Sequence, residues 1–277
     1  MELMELFKAA LIGIVQGITE WLPVSSTGHM ILFNEFIKMN VSETFMSTFL
    51  VVIQFGSILA VLTIFFKKLN PFDSSKTKIQ KNETIDLWIK VIIAVIPSGI
   101  LGLLFDDTID ALFFNPTTVA IALIVYGVIM IMLENRNKKP SVNSFSEVSY
   151  KLAIGIGLFQ CLALIPGTSR SGSTIIGAVL LGTSRYIATE FSFFLAVPTM
   201  LGASALKLVK TGFAFNGFEW LILATGTIVA YIVSILAIKF LLDYIKKHDF
   251  KVFGYYRIVL GTLVLAYFFI LKPHLGF

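Results

Sequence analysis

Pro166-Gly167-Thr168-Ser169-Arg170-Ser171-Gly172 interrupts an otherwise apolar stretch, and 143 residues earlier Pro23-Val24-Ser25-Ser26-Thr27-Gly28-His29 does the same. Each run follows an apolar helical pattern, opens with a proline and continues as Ser, Thr and Gly around one ionisable side chain. Proline lacks the amide hydrogen and restricts the residue before it, so each run should end a helix. Polar residues inside hydrocarbon-length segments are costly and point to function. Two related loops predict a site where the halves of a duplicated protein meet.

The rest of the chain supplies the hydrocarbon. Of its 277 residues 56% are hydrophobic and 14% charged, and the mean hydropathy is +0.86. Phe45 to Phe66 runs 22 residues without a charge, enough to cross a core of about 30 Å. These values exclude an ordinary soluble domain. The net charge of +5 resides mostly in lysines of short loops, a topology signal and not a nucleic-acid one. The lone cysteine, Cys161, leaves no internal disulfide or thiolate metal motif and reads as helix packing. The first apolar run carries Glu2, Glu5, Gln16 and Glu20, with no small-x-small cleavage site after it, and so does not read as a signal peptide.

The expected fold is an all-α polytopic membrane protein forming one membrane domain over residues 1–277. A broken helical pair at 4–21 and 28–38 is followed by spans near 45–66, 87–105 and 117–133. A second pair at 150–165 and 171–182 is followed by spans near 187–208, 218–242 and 252–271. The second helix of each pair is too short to span, as in a re-entrant hairpin. Each half, about 1–138 and 148–277, then crosses three times. An odd number makes the halves an inverted-topology repeat. Loops 67–86, 134–151 and 243–251 are lysine-rich, while 106–116 carries Asp106, Asp107 and Asp110. The positive-inside rule makes the basic side cytoplasmic. Trp88, Trp220, Tyr244, Tyr255 and Tyr256 sit near span ends, as an aromatic belt would.

Gln16 and Glu20, four apart, share a helix face beside Ser25, Ser26, Thr27 and His29. Arg170 lies at the matching depth of the other loop, among Thr168, Ser169, Ser171 and, a turn on, Thr174. Its planar fork suits phosphate, and a helix N-terminus at each loop favours an anion. A diphosphate and Glu20 outnumber the cations present, so a divalent ion on Glu20 and the Gln16 amide oxygen would restore balance. Hard oxygen donors suit Mg²⁺ or Ca²⁺. The plainer readings stand beside these: Ser25 and Thr168 as helix caps, His29 as a packed histidine, and Glu20–Arg170 as a structural ion pair. Arg185 and Glu190 either line the site or pair near a helix start. Gln54 and Gln160 suit interhelical hydrogen bonds, Lys207 and Lys210 snorkelling, and His248 and His274 the surface.

Gln16-x-x-x-Glu20 with Pro23–His29, Pro166–Gly172 and Phe191-Ser192-Phe193-Phe194-Leu195-Ala196-Val197-Pro198 closely resembles the undecaprenyl-diphosphatase family, the bacitracin-resistance proteins of bacterial inner membranes. The match covers nearly the whole chain in order and length. The resemblance implies a metal-dependent hydrolase that removes one phosphate from a polyprenyl diphosphate lipid and recycles the carrier for peptidoglycan synthesis. Its site would open to the outer face. By position, Glu20 matches the family's acidic residue, Ser26 the nucleophile, His29 the proton-transfer residue and Arg170 the phosphate-binding arginine. Gln16 stands where many members have Glu.

A transporter for the same lipid is the main rival, since inverted repeats aim half-helices at anions too. A pure carrier has no need of Ser26 and His29 beside Glu20. A phosphohistidine lipid phosphatase needs a histidine soon after its arginine, and none follows Arg170 until His248. The partners expected are the lipid substrate and the bilayer, with no nucleic acid. Oligomeric state stays open, a homodimer included.

Overall fold

Long helices cover the apolar runs, and the chain leaves the helical path at the two polar loops. The computed structural model describes residues 2–136, 138–212 and 215–272. In chain order its α-helices are α1 (Glu2–Thr19), α2 (Ser26–Phe36), α3 (Glu43–Ile64), the single turn α4 (Phe66–Leu69), α5 (Lys78–Phe113), α6 (Pro116–Asn135), α7 (Tyr150–Cys161), α8 (Arg170–Leu180), α9 (Arg185–Thr211), α10 (Gly217–Ile245) and α11 (Lys251–Ala266). A π-helical turn, Tyr267–Leu271, extends α11. Among the described residues the only β-type pairing is an isolated parallel bridge between Val142 and Thr183.

Among the described residues six helices are long and apolar enough to cross a membrane: α3, α5, α6, α9, α10 and α11 with its extension. Their outward faces are apolar too. Ile85, Ile89, Ile92, Ile96 and Ile100 along α5 are each 44–52% exposed. In water such a stripe would be an association surface; in a bilayer it is where the acyl chains lie. The protein is a multi-pass membrane protein. The 11-residue helices α2 and α8 reach about 16 Å at 1.5 Å per residue, about half a hydrocarbon core.

Both breaks open before their prolines. α1 ends at Thr19, and a turn carries the chain to Pro23. α7 ends at Cys161 and tightens into a 3₁₀ turn, Leu162–Leu164, before Pro166. The largest departure from expectation is α5, which covers 36 residues instead of the span 87–105. Nothing from Lys78 to Asp86 breaks a helix, and Pro97 is tolerated inside it. At its far end the helix runs on to Phe113, so the expected loop 106–116 shrinks to Phe114 and Asn115. The side chains of Asp106, Asp107 and Asp110 lie outside the described set, as does His274.

α1 packs against α10, α7 against α5, α3 against α9 and α10, and α6 against α11. Glycine allows the closest approaches. A Cβ on Gly13 would sit 2.7 Å from the carbonyl oxygen of Gly226, and one on Gly157 would overlap the carbonyl of Ala94. The main core gathers Trp21, Phe65, Phe191, Phe193, Phe194 and Ile175 behind the two polar loops. A second core joins α1, α3 and α10 around Phe45, Phe49 and Ile222. Gln160 bonds across helices to Ser98 Oγ at 2.7 Å and Thr199 Oγ1 at 3.3 Å, as expected. Gln54 makes no hydrogen bond with the described residues.

Candidate active site

The two loops meet. Glu20 is 7% exposed, and both its oxygens are engaged. Arg170 Nη2 donates to Oε1 at 2.9 Å across the loops. Gln16 Nε2 and Ser26 Oγ donate to Oε2 at 3.0 and 3.2 Å. Glu20 follows the last residue of α1, yet its amide still bonds Gln16 O at 3.0 Å, which keeps the two side chains on one face. One carboxylate thus collects a hydroxyl, an amide and a guanidinium from both halves of the chain.

The loops share an unusual backbone. Ser25 and Ser169 are the only non-glycine residues with positive φ among those described, at 71° and 74°. L-residues pay of order 1–3 kcal/mol for such geometry, which persists only where the surroundings impose it. Each serine caps the helix it precedes: Ser25 Oγ accepts from Gly28 N at 3.3 Å, and Ser169 Oγ from Gly172 N at 3.1 Å. The cap expected at Thr168 is therefore made by Ser169. The second loop is one residue longer after its proline, so aligning the prolines misplaces the equivalence. Thr168 instead donates to Leu162 O at 2.8 Å and to Ile165 O. With the strained serines matched, Ser26 and Arg170 occupy the same first helical position.

Arg170 is held on several sides. Nη1 donates to Ser192 O at 2.8 Å, and the guanidinium lies 5.6 Å from the Trp21 ring. Its Nε is buried without a partner, which leaves one donor for an incoming oxygen. Thr174 Oγ1 meets Ser192 Oγ at 2.7 Å and braces that contact. Ser171 Oγ donates to Leu22 O at 3.3 Å and meets Ser169 Oγ at 3.1 Å, tying the second loop to the first. Thr27, half-buried, has no hydrogen-bonded side chain among the described residues.

His29 does not touch Ser26 through either ring nitrogen. Nδ1 lies 2.7 Å from Ser25 O, and Nε2 lies 2.6 Å from Tyr256 Oη. A carbonyl only accepts, so Nδ1 carries a proton, and in the neutral ring Nε2 accepts from Tyr256. The two rings stack at 5.6 Å. Tyr256, expected in an interfacial belt, also meets this histidine.

Arg257 of α11 escaped the sequence reading. It is fully buried, and Nη1 donates to Pro23 O at 3.2 Å while Nη2 donates to Gly167 O and Thr168 O at 3.0 and 2.9 Å. It staples the two loops through their backbones. The available signal was an arginine in the middle of an apolar span.

Arg185 and Glu190 do not pair and lie outside this network. Arg185 grips Glu134 through Nε at 3.0 Å to each oxygen. Glu190 takes Lys68 Nζ at 2.5 Å and Tyr186 Oη at 2.9 Å. Among the described residues no three of His, Cys, Asp and Glu gather around one point.

The model of the bacitracin resistance protein BacA family matches residues 9–263. The chain is 77% identical over 269 residues to undecaprenyl-diphosphatase 1 of Clostridioides difficile, covering 97% of this chain and 98% of that one. It is 58% identical over 271 residues to the undecaprenyl-diphosphatase of Desulfitobacterium hafniense, with the same coverage, and 60% identical over 269 residues to that of Acetivibrio thermocellus, covering 96% and 98%. The joined Gln16–Glu20, Pro23–His29 and Pro166–Gly172 segments fall inside the matched range, and the chain belongs to the bacitracin resistance protein BacA family.

Proposed function

We infer that this chain is an undecaprenyl-diphosphatase, hydrolysing undecaprenyl diphosphate to undecaprenyl phosphate and inorganic phosphate. The product is the lipid carrier reused in cell-wall synthesis, and its supply underlies bacitracin resistance. Near-full-length identity to proteins of that name supports the substrate. One observation carries the site: Glu20 touches Ser26 from its own loop and Arg170 from the other.

Ser26 Oγ is a weak nucleophile at its ordinary pKa and needs a base. Of the candidates, Glu20 is the one in contact with it. Ser26 Oγ attacks the terminal phosphorus while Glu20 accepts its proton. The bond from that phosphorus to the bridging oxygen breaks, and undecaprenyl phosphate leaves. Water then attacks the phosphoserine, releasing phosphate and restoring the Ser26 hydroxyl. Arg170, through its spare Nε, and the first-turn amides of α2 and α8 stabilise charge on the phosphoryl oxygens. Ser25, Thr27, Ser169, Ser171 and Thr174 shape the cradle. His29 with Tyr256 moves a proton at the site's edge.

A hard divalent cation arriving with the diphosphate would complete the charge balance at Glu20, once it displaces the present hydrogen bonds. Mg²⁺ is commonly held by one or two carboxylates plus substrate phosphates and water. Glu20 supplies the carboxylate and Gln16 Oε1 an amide oxygen, with Mg²⁺ or Ca²⁺ as the ion. When bound, it would neutralise phosphate charge and act as a Lewis acid.

Each half then forms a re-entrant helical hairpin followed by three spans, and the halves are inverted repeats. Reciprocal packing supports this: α1 on α10 mirrors α7 on α5, with Gly13 and Gly157 in matching roles. The matched strained serines support it independently. In the bacterial cell membrane, the lysine-rich loops support a cytoplasmic basic side and a site that opens to the periplasm. A cysteine replacing Phe114 should react with an impermeant thiol reagent from outside only; labelling from the cytoplasm would invert the topology.

The deciding assay is phosphate release from undecaprenyl diphosphate by purified protein in detergent, with Mg²⁺, Ca²⁺ or chelator. Metal-dependent release that Ser26→Ala and Glu20→Ala each abolish is expected. Lipid binding without release from folded protein would make the site a carrier's.

A further inference from the structure

A second charged cavity lies away from the loops. About 320 Å³ in volume, it is bounded by the end of α6, the turn between α8 and α9 and the end of α10. Arg136, Lys138, Lys139, Arg185 and Lys246 line it, against one lining carboxylate, Glu134. Glu134 is saturated: it takes the fork of Arg185 and the amide of Phe250 at 3.2 Å. Lys246 pairs with exposed Asp243 at 2.8 Å. Arg136, Lys138 and Lys139 have no carboxylate partner among the described residues. Among the described residues these three cations line the cavity without a carboxylate partner.

The rim is built, not draped. Ser141 N and Val142 N donate to Gly182 O at 2.9 and 3.1 Å, and Ser184 N donates to Val142 O at 2.8 Å. These bonds pin the segment after Lys139 onto the α8–α9 turn. Gly182 has φ 103°, and a Cβ there would lie 2.6 Å from Ser141 Oγ, so only glycine permits the docking. Thr183, 2% exposed, lines the cavity, and its hydroxyl has no hydrogen-bond partner. The wall includes apolar Leu133, Val179 and Ile245.

We propose that this cavity binds the phosphate headgroup of an anionic phospholipid. Its chemistry is that of a phosphate site: Lys and Arg point charges, a spare hydroxyl and the N-terminus of the 27-residue helix α9. A free phosphate would share that chemistry. The location favours the lipid. Three of the long apolar helices end or begin at the cavity, which puts it at headgroup depth, where basic pockets between helices meet anionic lipids. The occupant would brace the α6, α9 and α10 ends without touching Ser26 or Arg170.

The test uses delipidated full-length protein in detergent and follows its unfolding midpoint. Short-chain phosphatidylglycerol should raise the midpoint saturably, by about 5 °C at a hundredfold excess over Kd. Phosphatidylcholine should do little, and inorganic phosphate clearly less than phosphatidylglycerol. R136Q/K138Q/K139Q should lose most of the phosphatidylglycerol shift while retaining phosphate release from lipid diphosphate. K139E alone, at an exposed position, should lose at least half of the shift. Equal shifts with both phospholipids, an undiminished shift in both variants, or full reproduction by inorganic phosphate would each overturn the proposal.

Discussion

The loops 23–29 and 166–172 share a backbone and differ in chemistry. Each bends through a serine at φ near 70°, caps an 11-residue helix with that serine and sets the next residue at the helix start. In the first loop that next residue is Ser26; in the second it is Arg170. The same local scaffold thus presents a hydroxyl from one side and a guanidinium from the other, with Glu20 between them. The backbone geometry is matched, and a different side chain at the equivalent position gives the two loops different chemistry.

Breaking the two equivalent positions should have the largest effect. Ser26→Ala and Arg170→Ala are each expected to lower kcat by about 10³-fold or more, as for loss of a nucleophile or a transition-state donor. The double variant should be scarcely worse than either single one. Arg170→Lys should recover little, because a point charge cannot serve Ser192, Glu20 and phosphate from one plane. Additive losses in the double variant would show that the loops act separately.

Arg257 holds the loops together, so its loss should strike both at once. Arg257→Gln is expected to lower the unfolding midpoint and turnover together, since each charged hydrogen bond contributes about 1.5–3 kcal/mol. An unchanged midpoint with lost activity would move Arg257 from support to substrate contact.

A smaller effect should come from His29, where the loops differ most: Ser173 occupies the equivalent place. His29→Gln is expected to cost about tenfold to a hundredfold, at or below the lower end of direct general acid–base catalysis. Tyr256→Phe should cost less and alter the pH profile of kcat/KM in the same direction. A His29→Gln loss as large as that of Ser26→Ala would put the imidazole at the reacting phosphorus.

The smallest effects should come from the strained serines. Ser25→Gly and Ser169→Gly relieve the backbone but remove a cap, terms of about 1 kcal/mol and a few tenths respectively. Each variant should change stability by about 1 kcal/mol or less. Similar values in thermal unfolding would sharpen the equivalence of the loops; opposite signs would break it.

Much of this architecture was legible beforehand, for physical reasons. Hydrocarbon imposes long uncharged runs, so the six spans stood out, and prolines with Ser and Gly marked both breaks. Ends were harder. α5 outran its expected span because aspartates look like loop to a hydropathy reading, although nothing there stops a helix. Glu20, Ser26 and Arg170 were readable as polar residues at costly depth. The role of Arg257 is not legible in this way, because a single arginine in a span says nothing about which carbonyls it will meet.

The sequence by itself determined the membrane class, the two polar loops and the residue types of the site, because transfer energies and backbone sterics are local. Only the tertiary structure decided that Ser169 is the partner of Ser25, that both Ser26 and Arg170 meet Glu20, and that His29 turns to Tyr256. Those contacts join residues as far as 227 positions apart. Their geometry follows from how helices pack, and packing sums many weak contacts that no short stretch of sequence contains.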